Sequence, residues 1–426
     1  MTLKAQIDCV RPIGRMAATA ALLASTSLVQ AAGFYLQELG TPHSLGTAGV
    51  ANPTNIEAAD SALSNPAGMV YLDEDTIIVG TQVIAPKIEF DPDIGTAGGD
   101  DGGNAGNTAI IPSAFYVQKY SDKISLGLSV AATMGGGVDY GNDFVGRYST
   151  VKAELGAIAM APSIGYKVND KFSIGGGVSI VYTTFEQEIA INTAGPGDGR
   201  LKIEDADDIG FQPFFSMNYR PNDRLLLSLV YRAEMDVDLS GDVDVRNVAV
   251  PVGADSVDID WDNPQWVELG LRYELTNQDT LYLSAGWQDW SAFSNNRLAF
   301  SGGGAGINPV AELDRNFKDT YHAGIAYVHR TGNGSGYSVG AAYDSSPVDD
   351  DDRTFDLPFD ELFKVGASYF WEGDRNLDFS VGGTLIMFGD GAIDQTSGVG
   401  PLAVRAKGEF DDNYLLFVGG TLRYVF

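Results

Sequence analysis

Residues Tyr414 to Phe426 read YLLFVGGTLRYVF, with the period of two that is typical of a β-strand. One face of this strand consists of Tyr414, Leu416, Val418, Gly420, Leu422, Tyr424 and Phe426. The only polar groups on that face are tyrosine hydroxyls near its ends. An apolar stripe with aromatic residues at its ends indicates a strand that faces lipid and meets water at both membrane interfaces.

The same alternation recurs upstream, for example in Lys123–Val130 and Phe172–Thr183. Alternation alone also fits a half-buried soluble sheet, so it leaves the class of β protein open. Fourteen segments are strand candidates, near 75–90, 111–120, 123–131, 154–168, 172–189, 208–220, 224–240, 264–275, 279–289, 317–330, 336–345, 359–371, 376–389 and 411–426.

The connections between these candidates favour a membrane barrel. Six are short and rich in Asn, Asp or Gly, such as PND around Asn222. The other seven are long, from 91–110 to 390–410, and long and short connections alternate without exception. Outer-membrane barrels have short periplasmic turns and long extracellular loops. The sequence therefore predicts an all-β, 14-stranded antiparallel outer-membrane β-barrel over residues 73–426, with both barrel ends on the periplasmic side.

Residues 1–31 have the layout of a secretory signal peptide. Basic residues up to Arg15 precede a run rich in Ala and Leu, and the small residues Val29 and Ala31 precede a predicted cut after Ala31. The alternative is an uncleaved, weakly apolar N-terminal helix. The only cysteine, Cys9, lies within this peptide, so neither a disulfide nor a Cys-based metal site is expected in the mature chain.

Charge and hydropathy narrow the classes of partner. A formal net charge of -30 argues against nucleic acid as a partner. No apolar stretch of about 18 residues follows the signal peptide, so a membrane-spanning helix is not expected.

Residues 32–72 are predicted to form a plug, or hatch, inside the barrel. A barrel of 14 strands is wider than the roughly eight-stranded size that its own side chains can fill. This stretch is rich in Gly, Pro and small polar residues and contains no Lys or Arg, so any basic group near it must come from the barrel wall. Thr54–Glu57 matches a capping box before a short helix, and Ser64–Gly68 is predicted to end that helix in a turn. The alternative is a disordered periplasmic tail.

Five sequence elements resemble the outer-membrane long-chain fatty acid transporter family, which includes the toluene and xylene transporters. The resemblance covers essentially the whole mature chain, and Phe144 stands where many members have Trp. In chain order the elements are Ala32-Gly33-Phe34 with Leu36, Gly46, Ala48 and Asn65-Pro66-Ala67-Gly68; Gly146-Arg147-Tyr148; Asp289-Trp290-Ser291-Ala292-Phe293; Asn316-Phe317-Lys318-Asp319-Thr320-Tyr321; and Tyr343-Asp344-Ser345-Ser346-Pro347-Val348 with Pro358.

The resemblance implies a monomeric barrel that takes up hydrophobic compounds by diffusion. Capture in an outer groove would be followed by transfer to an inner pocket, a shift of the hatch and lateral exit where the third strand kinks. The ligand-binding candidates are Arg147, Arg315, Lys318, Phe34 and Tyr148. The hatch and gating candidates are Asn65, Pro66, Ala67, Gly68 and Gly127.

The basic candidates would pair with a fatty acid carboxylate, because an unpaired charge in an apolar pocket is costly. Each of the three also has a structural interpretation as a loop contact. Thr183 and Thr184 occupy the fifth strand where a cation would be useful, which favours hydrocarbon as the alternative substrate. Gly127 is the candidate for the kink, and the alternative is that it only packs against the hatch.

Other kinds of site receive little support. The acidic clusters 236–244, 255–260 and 349–352 supply oxygen ligands that suit Ca²⁺ or Mg²⁺ and that would reach lipopolysaccharide phosphates, but a solvated loop is the favoured interpretation. The three histidines lack metal-ligand spacing, and no catalytic constellation is recognisable. We therefore expect no cofactor, no metal and no enzymatic activity.

The function expected is outer-membrane uptake of long-chain fatty acids, in contact with lipopolysaccharide. Uptake of hydrocarbons or aromatic compounds is the alternative of the same class. A structural porin or adhesin barrel is the alternative of another class.

Overall fold

The computed structural model describes residues 38–39, 41–193, 197–248, 254–302, 310–332, 334–373, 376–398 and 402–426. The predicted signal peptide and the candidate Phe34 lie outside these ranges. Within them, no helix is both long enough and apolar enough to cross a membrane.

The described chain is built almost entirely of antiparallel strands. Their bounds are β1 Thr76–Lys87, β2 Asp91–Gly95, β3 Ala109–Lys119, β4 Ile124–Asp139, β5 Lys152–Asn169, β6 Phe172–Ile191, β7 Gly199–Asn222, β8 Leu225–Arg232, β9 Met235–Arg246, β10 Ser256–Asn263, β11 Trp266–Glu274, β12 Asp279–Gln288, β13 Asn295–Ser301, β14 Val310–Asp314, β15 Thr320–Arg330, β16 Gly336–Asp344, β17 Leu362–Glu372, β18 Leu377–Phe388, β19 Gly391–Ser397, β20 Val404–Phe410 and β21 Tyr414–Val425.

Fourteen of these strands close into a barrel, as predicted. They are β1, β3, β4, β5, β6, β7, β8, β11, β12, β15, β16, β17, β18 and β21. Closure comes from the first and last strands, which pair antiparallel from Thr76–Val425 to Lys87–Tyr414. The side chains of β21 alternate as expected, since Val418 is 47% exposed and Phe417 is 0% exposed. The outer face of the barrel is therefore the apolar stripe seen in the sequence.

The long connections contain more strand than predicted. β9, β10, β13 and β14 extend the wall beyond its long-loop end, where β9 pairs with β7 and β10 pairs with β13. β2, β19 and β20 form a separate three-stranded sheet. Phe90, Tyr140, Phe144, Phe355 and Phe410 pack beside that sheet in a buried aromatic cluster, so the long loops form a folded cap.

Residues 38–39 and 41–72 lie in the lumen, and we call them the N-terminal segment. They form two short helices, α1 (Pro42–Gly46) and α2 (Ser61–Ser64), and two 3₁₀ helices, Asn52–Thr54 and Pro66–Tyr71. Different parts of the segment contact β3–β8, β11, β16–β18 and β21, which are distributed around the wall.

The predicted capping box is wrong, although a short helix does follow. Thr54 Oγ1 donates back to the carbonyl of Ala51, and Asn55 Oδ1 accepts from the backbone N–H groups of Glu57 and Ala58. Helix α2 begins only at Ser61. The Glu57 side chain is unavailable as a cap because it reaches the barrel wall instead.

Candidate functional site

An apolar cavity lies at the long-loop end, between β4–β6, the extensions β10 and β13, and the loop before β17. Its volume is about 660 Å³, including the space at its open mouth. Most of its lining is aliphatic or aromatic: Ala153, Leu155, Phe185, Ile259, Trp261, Phe293, Leu298, Leu313, Leu357 and Phe359. The Trp261 ring lies 5.9 Å from that of Phe185 and 5.8 Å from that of Phe293, centre to centre. A cavity of this size and lining suits a hydrophobic ligand.

One basic side chain, Arg315, lines this cavity. It donates to Asp356 Oδ2 at 2.7 Å, to Asn296 Oδ1 at 2.6 Å and to Thr354 Oγ1 at 3.0 Å. Burial acts to raise the pKa of Asp356, but the charge and hydrogen bonds of Arg315 hold that pKa below its usual range. The cationic group of the cavity is therefore already balanced by a neighbouring carboxylate.

A smaller chamber lies at mid-height, between the N-terminal segment and the wall, with a volume of about 510 Å³ including open space. Most of the residues that line it have polar side chains, namely Asn52, Ser64, Thr133, Gln212, Arg232, Glu268 and Gln288, and the others are Leu39, Leu63 and Trp266. None of these residues was a candidate from the sequence. Charged residues on the inward face of a wall strand, such as Glu268 in β11, are the signal that could have identified the chamber.

The turn at Asn65–Gly68 is fastened to the wall by hydrogen bonds between uncharged groups. Asn65 Nδ2 donates to Asn218 Oδ1 at 3.1 Å, and the Ala67 N–H donates to Ser216 Oγ at 2.8 Å. Ser173 Oγ donates to the carbonyl of Ala67 at 2.8 Å. All four residues of the turn are buried. The four predicted hatch residues are thus brought together as one anchoring point.

Wall glycines allow this turn to lie directly on the strands. A methyl group at Gly175 would overlap the backbone nitrogen of Ala67, and one at Gly165 would lie 2.5 Å from the carbonyl oxygen of Pro66. Backbone atoms cannot move aside as a flexible side chain can, so a larger residue at Gly175 must displace the turn.

Glu57 makes the second attachment of the segment, and it does so through charge. Its Oε1 lies 2.7 Å from Nη2 of Arg272, and its Oε2 accepts from Arg330. Burial acts to raise the pKa of Glu57, but Arg330 and Arg272 together hold that pKa well below its usual range. The basic groups near the segment come from the wall, as expected, although they meet the segment's own carboxylates. Lys364 likewise lies 3.5 Å from Glu38.

This charged attachment borders a third cavity, which lies at the short-turn end of the barrel. The cavity has a volume of about 750 Å³, including open space, and Glu57, Asp60, Arg330, Asp378 and Arg423 are among its lining. The N-terminal segment therefore lies between an apolar cavity at one end of the lumen and a cavity with several charged lining residues at the other.

Comparison with known proteins gives this architecture a family. The model of the outer membrane protein transport protein family (OMPP1/FadL/TodX) matches residues 22–423. The chain belongs to this family. The resemblance identified from the motifs is confirmed, as is the predicted location in the bacterial outer membrane.

Relatives and solved structures cover nearly the whole chain. The long-chain fatty acid transport protein of Escherichia coli is 23% identical, with 92% of this chain and 94% of the relative covered. A crystal structure of a Pseudomonas aeruginosa FadL homologue matches with a TM-score of 0.83 at 20% identity, covering 93% of this chain and 100% of the other. The Pseudomonas putida toluene transporter TodX matches with a TM-score of 0.68 at 14% identity, covering 92% and 99%. The FadL-type barrel fold is therefore shared.

The Gly-Arg-Tyr element of the FadL family ties loops together in this chain. Arg147 Nε donates to Asp198 at 2.8 Å, its Nη1 donates to the carbonyl of Gly98 at 2.8 Å, and Tyr148 donates to Asp198 at 2.5 Å. Lys318 pairs with Asp349 and is exposed. Of the four ligand candidates within the described residues, only Arg315 lines one of the described cavities.

Gly127 faces the N-terminal segment. A methyl group there would lie 2.6 Å from Met69 Sδ and 2.7 Å from Ala62 Cβ. The register of β4 against β5 is continuous at Gly127 and shifts further along, between Ala132 and Met134. The irregularity in the pairing of β4 with β5 is thus at Thr133 and not at Gly127, the residue predicted to mark a kink.

The pairing of β9 with β10 brings two of the acidic clusters together. Asp236 lies opposite Asp262 and Asp238 lies opposite Asp260. The carboxylates of Glu234, Asp236 and Asp262 all lie within 4.8 Å of one another. These side chains are exposed or half-buried, as on a solvated acidic surface, and we assign no metal to them.

Proposed function

We propose that the protein carries long-chain fatty acids across the outer membrane passively, with hydrocarbons as the alternative substrate. The apolar cavity of about 660 Å³ at the long-loop end is the observation that supports this proposal most directly. Family members have the same kind of cargo in their names, since relatives include long-chain fatty acid transport proteins and a toluene transporter. The barrel closes within one chain, which supports action as a monomer.

Lipopolysaccharide in the outer leaflet is the reason that hydrophobic solutes need such a route. It hinders hydrophobic solutes from crossing the outer leaflet, and a water-filled pore would not attract them. In the proposed route, the long-loop cavity captures the substrate, the central chamber receives it and a shift of the N-terminal segment releases it. No step in this route calls for catalysis by the protein.

We propose that release occurs laterally, through the wall beside β4. The pairing of β3 with β4 ends at Ala114–Val130, while β4 continues to Asp139. Thr133 lies within this stretch and also lines the central chamber. The exit is therefore assigned beside Thr133, with Gly127 as a contact of the segment. Deleting Thr133 should remove the extra residue and the exit, and normal uptake by this variant would contradict the assignment.

The choice between fatty acid and hydrocarbon depends on Arg315. Its ion pair with Asp356 leaves no excess positive charge in the cavity, so a carboxylate would have to compete with Asp356. This balance is the reason for retaining hydrocarbon as the alternative.

The test is uptake of radiolabelled oleate and hexadecane by cells with and without the gene, together with growth on oleate. Loss of oleate uptake and growth on deletion is the expected result, and mass spectrometry of ligand purified with the protein should identify a fatty acid. Loss of hexadecane uptake alone would select the hydrocarbon. Unchanged uptake of both, with stable ion conductance in bilayers, would show a structural porin instead.

A further inference from the structure

Two buried groups on the inward face of β11, in the wall of the central chamber, have no hydrogen-bond partner among the described residues. They are Trp266 Nε1, a donor, and Glu268 Oε1, an acceptor. Both residues line the chamber, and they stand two positions apart on β11, so they share its inward face. A buried polar group without a partner costs about 1–3 kcal/mol, so a partner entering the chamber would recover that loss.

The neighbours of these groups are already engaged with the wall and the segment. Arg232 donates to Ser179 Oγ at 3.1 Å and to the carbonyl of Leu63 at 2.7 Å. His322 lies 4.0 Å from Glu268 Oε1, beyond hydrogen-bond distance, and its other ring nitrogen lies 2.6 Å from Asp344. The unmet hydrogen-bonding capacity of β11 in the chamber is therefore one donor and one acceptor, two positions apart on the strand.

We propose that the chamber binds a neutral hydroxyl-bearing head group of the transported molecule, such as an alcohol or an undissociated carboxylic acid on an apolar chain. Trp266 Nε1–H donates to an oxygen of that group, and Glu268 accepts the hydrogen of its O–H. An alkane satisfies neither group, and an ether or ester satisfies only Trp266. This inference rests on the proposed transport function and adds a preference among its substrates.

A matched series of three ligands separates the two contacts. 1-Hexadecanol both donates and accepts, hexadecyl methyl ether only accepts, and hexadecane does neither. Competition of each with radiolabelled 1-hexadecanol for purified protein in detergent should give the affinity order alcohol, ether, alkane. From ordinary hydrogen-bond energies, we expect the alcohol to bind about tenfold more tightly than the ether because of the contact with Glu268. We expect the ether to bind about fivefold more tightly than the alkane because of the contact with Trp266.

Each of two substitutions should abolish one of these two differences in affinity. Trp266→Phe should make the ether bind no better than the alkane, and Glu268→Met should make the alcohol bind no better than the ether. Trp371→Phe, at the short-turn end, and Glu74→Met, on the exposed periplasmic side, serve as controls that should preserve both differences. The ligand series on the unaltered protein needs no variant, so it tests the proposal even if a variant fails to assemble.

Several results would overturn the proposal. Equal affinity for the three ligands would show that water satisfies the two groups, as would a preference that survives both substitutions. Tight binding of palmitate that increases from pH 5 to pH 8, without any preference for the alcohol, would show recognition of a carboxylate anion instead. Because binding is measured on purified protein, these results are independent of the uptake experiment that tests transport itself.

Discussion

The two attachments of the N-terminal segment differ in chemistry. The Asn65–Gly68 turn is held by hydrogen bonds between uncharged groups and by backbone packed against Gly165 and Gly175. Glu57 is held by charge, through Arg272 and Arg330. The turn is buried within the lumen, whereas Glu57 lines the cavity at the short-turn end.

This difference indicates which attachment can be released. The packing of the turn against the wall is disrupted only if a larger side chain overlaps the turn. An ion pair beside water can instead exchange one partner for solvent. The side chain of Arg330 is 40% exposed, so water reaches one side of the Glu57 attachment. We therefore expect a shift of the segment to begin at Glu57 and to pivot on the Asn65–Gly68 turn.

The largest effect is expected from Gly175→Leu, which should break the shape-dependent attachment. The new side chain would overlap the Ala67 backbone, so the turn must leave its position. We expect oleate uptake to fall to the level of the deletion strain while the barrel still assembles, as judged by heat-modifiable migration on gels.

Gly127→Leu is the matched comparison, because its nearest obstacles are side chains that include the flexible Met69. Its uptake defect should be smaller than that of Gly175→Leu, and Gly332→Leu, where nothing lies within 4 Å of the added atom, should behave as the unaltered protein. Equal defects at Gly127 and Gly175 would mean that the Ala67 backbone is not the deciding contact.

Glu57→Gln should release the charged attachment and have the second largest effect. The substitution keeps the size of the side chain but removes its charge, leaving Arg272 buried with Glu274 as its one acidic partner among the described residues. A charge-assisted hydrogen bond contributes about 1.5–3 kcal/mol, so we expect the segment to open more often by about tenfold or more. Hydrogen exchange of the amides in 41–64, followed by mass spectrometry, should be faster by that factor.

The pH dependence provides a second check on Glu57. A carboxyl group whose pKa is lowered in the folded state contributes stability above its ordinary pKa and loses it only as the pH falls through the lowered value. The pKa of Glu57 is held well below its usual range, so the attachment should persist between pH 7 and pH 5. A large increase in opening over that interval, after correction for intrinsic exchange, would contradict the assigned pairing.

The contrast also explains what the sequence could predict. Strand alternation and hairpin turns are local signals, so β21 was expected at 411–426 and observed at Tyr414–Val425. The partners of Glu57 lie 215 and 273 residues away in the chain, and only barrel closure brings them near. The capping box was a local interpretation of Glu57, and it was wrong because these distant arginines compete for the same side chain.

The central chamber was missed for the same reason. In the sequence, Arg232, Trp266 and Glu268 are three isolated inward-facing residues of strands. No spacing in the sequence relates Arg232 to the other two, although all three line the chamber. The motif Asn65–Gly68 could be predicted as one unit because its four residues are contiguous. Their shared role as an attachment point follows from the local conformation of the turn. Arg147 and Arg315 share a residue type but not a location, which a motif cannot reveal.

The smallest effect should come from Arg330→Gln, in comparison with Arg272→Gln. Both arginines contact the same carboxylate, but the side chain of Arg272 is 9% exposed and that of Arg330 is 40% exposed. Removing Arg272 takes away the partner of Glu57 that water cannot easily replace, so its effect on hydrogen exchange of 41–64 should approach that of Glu57→Gln. Removing Arg330 lets water take its place, and exposed ion pairs contribute about 0–1 kcal/mol, so exchange should change less than about fivefold. If the two variants opened the segment equally, solvent exposure of an arginine would not determine how much its ion pair with Glu57 contributes. Release of the segment would then not have to begin at the short-turn cavity.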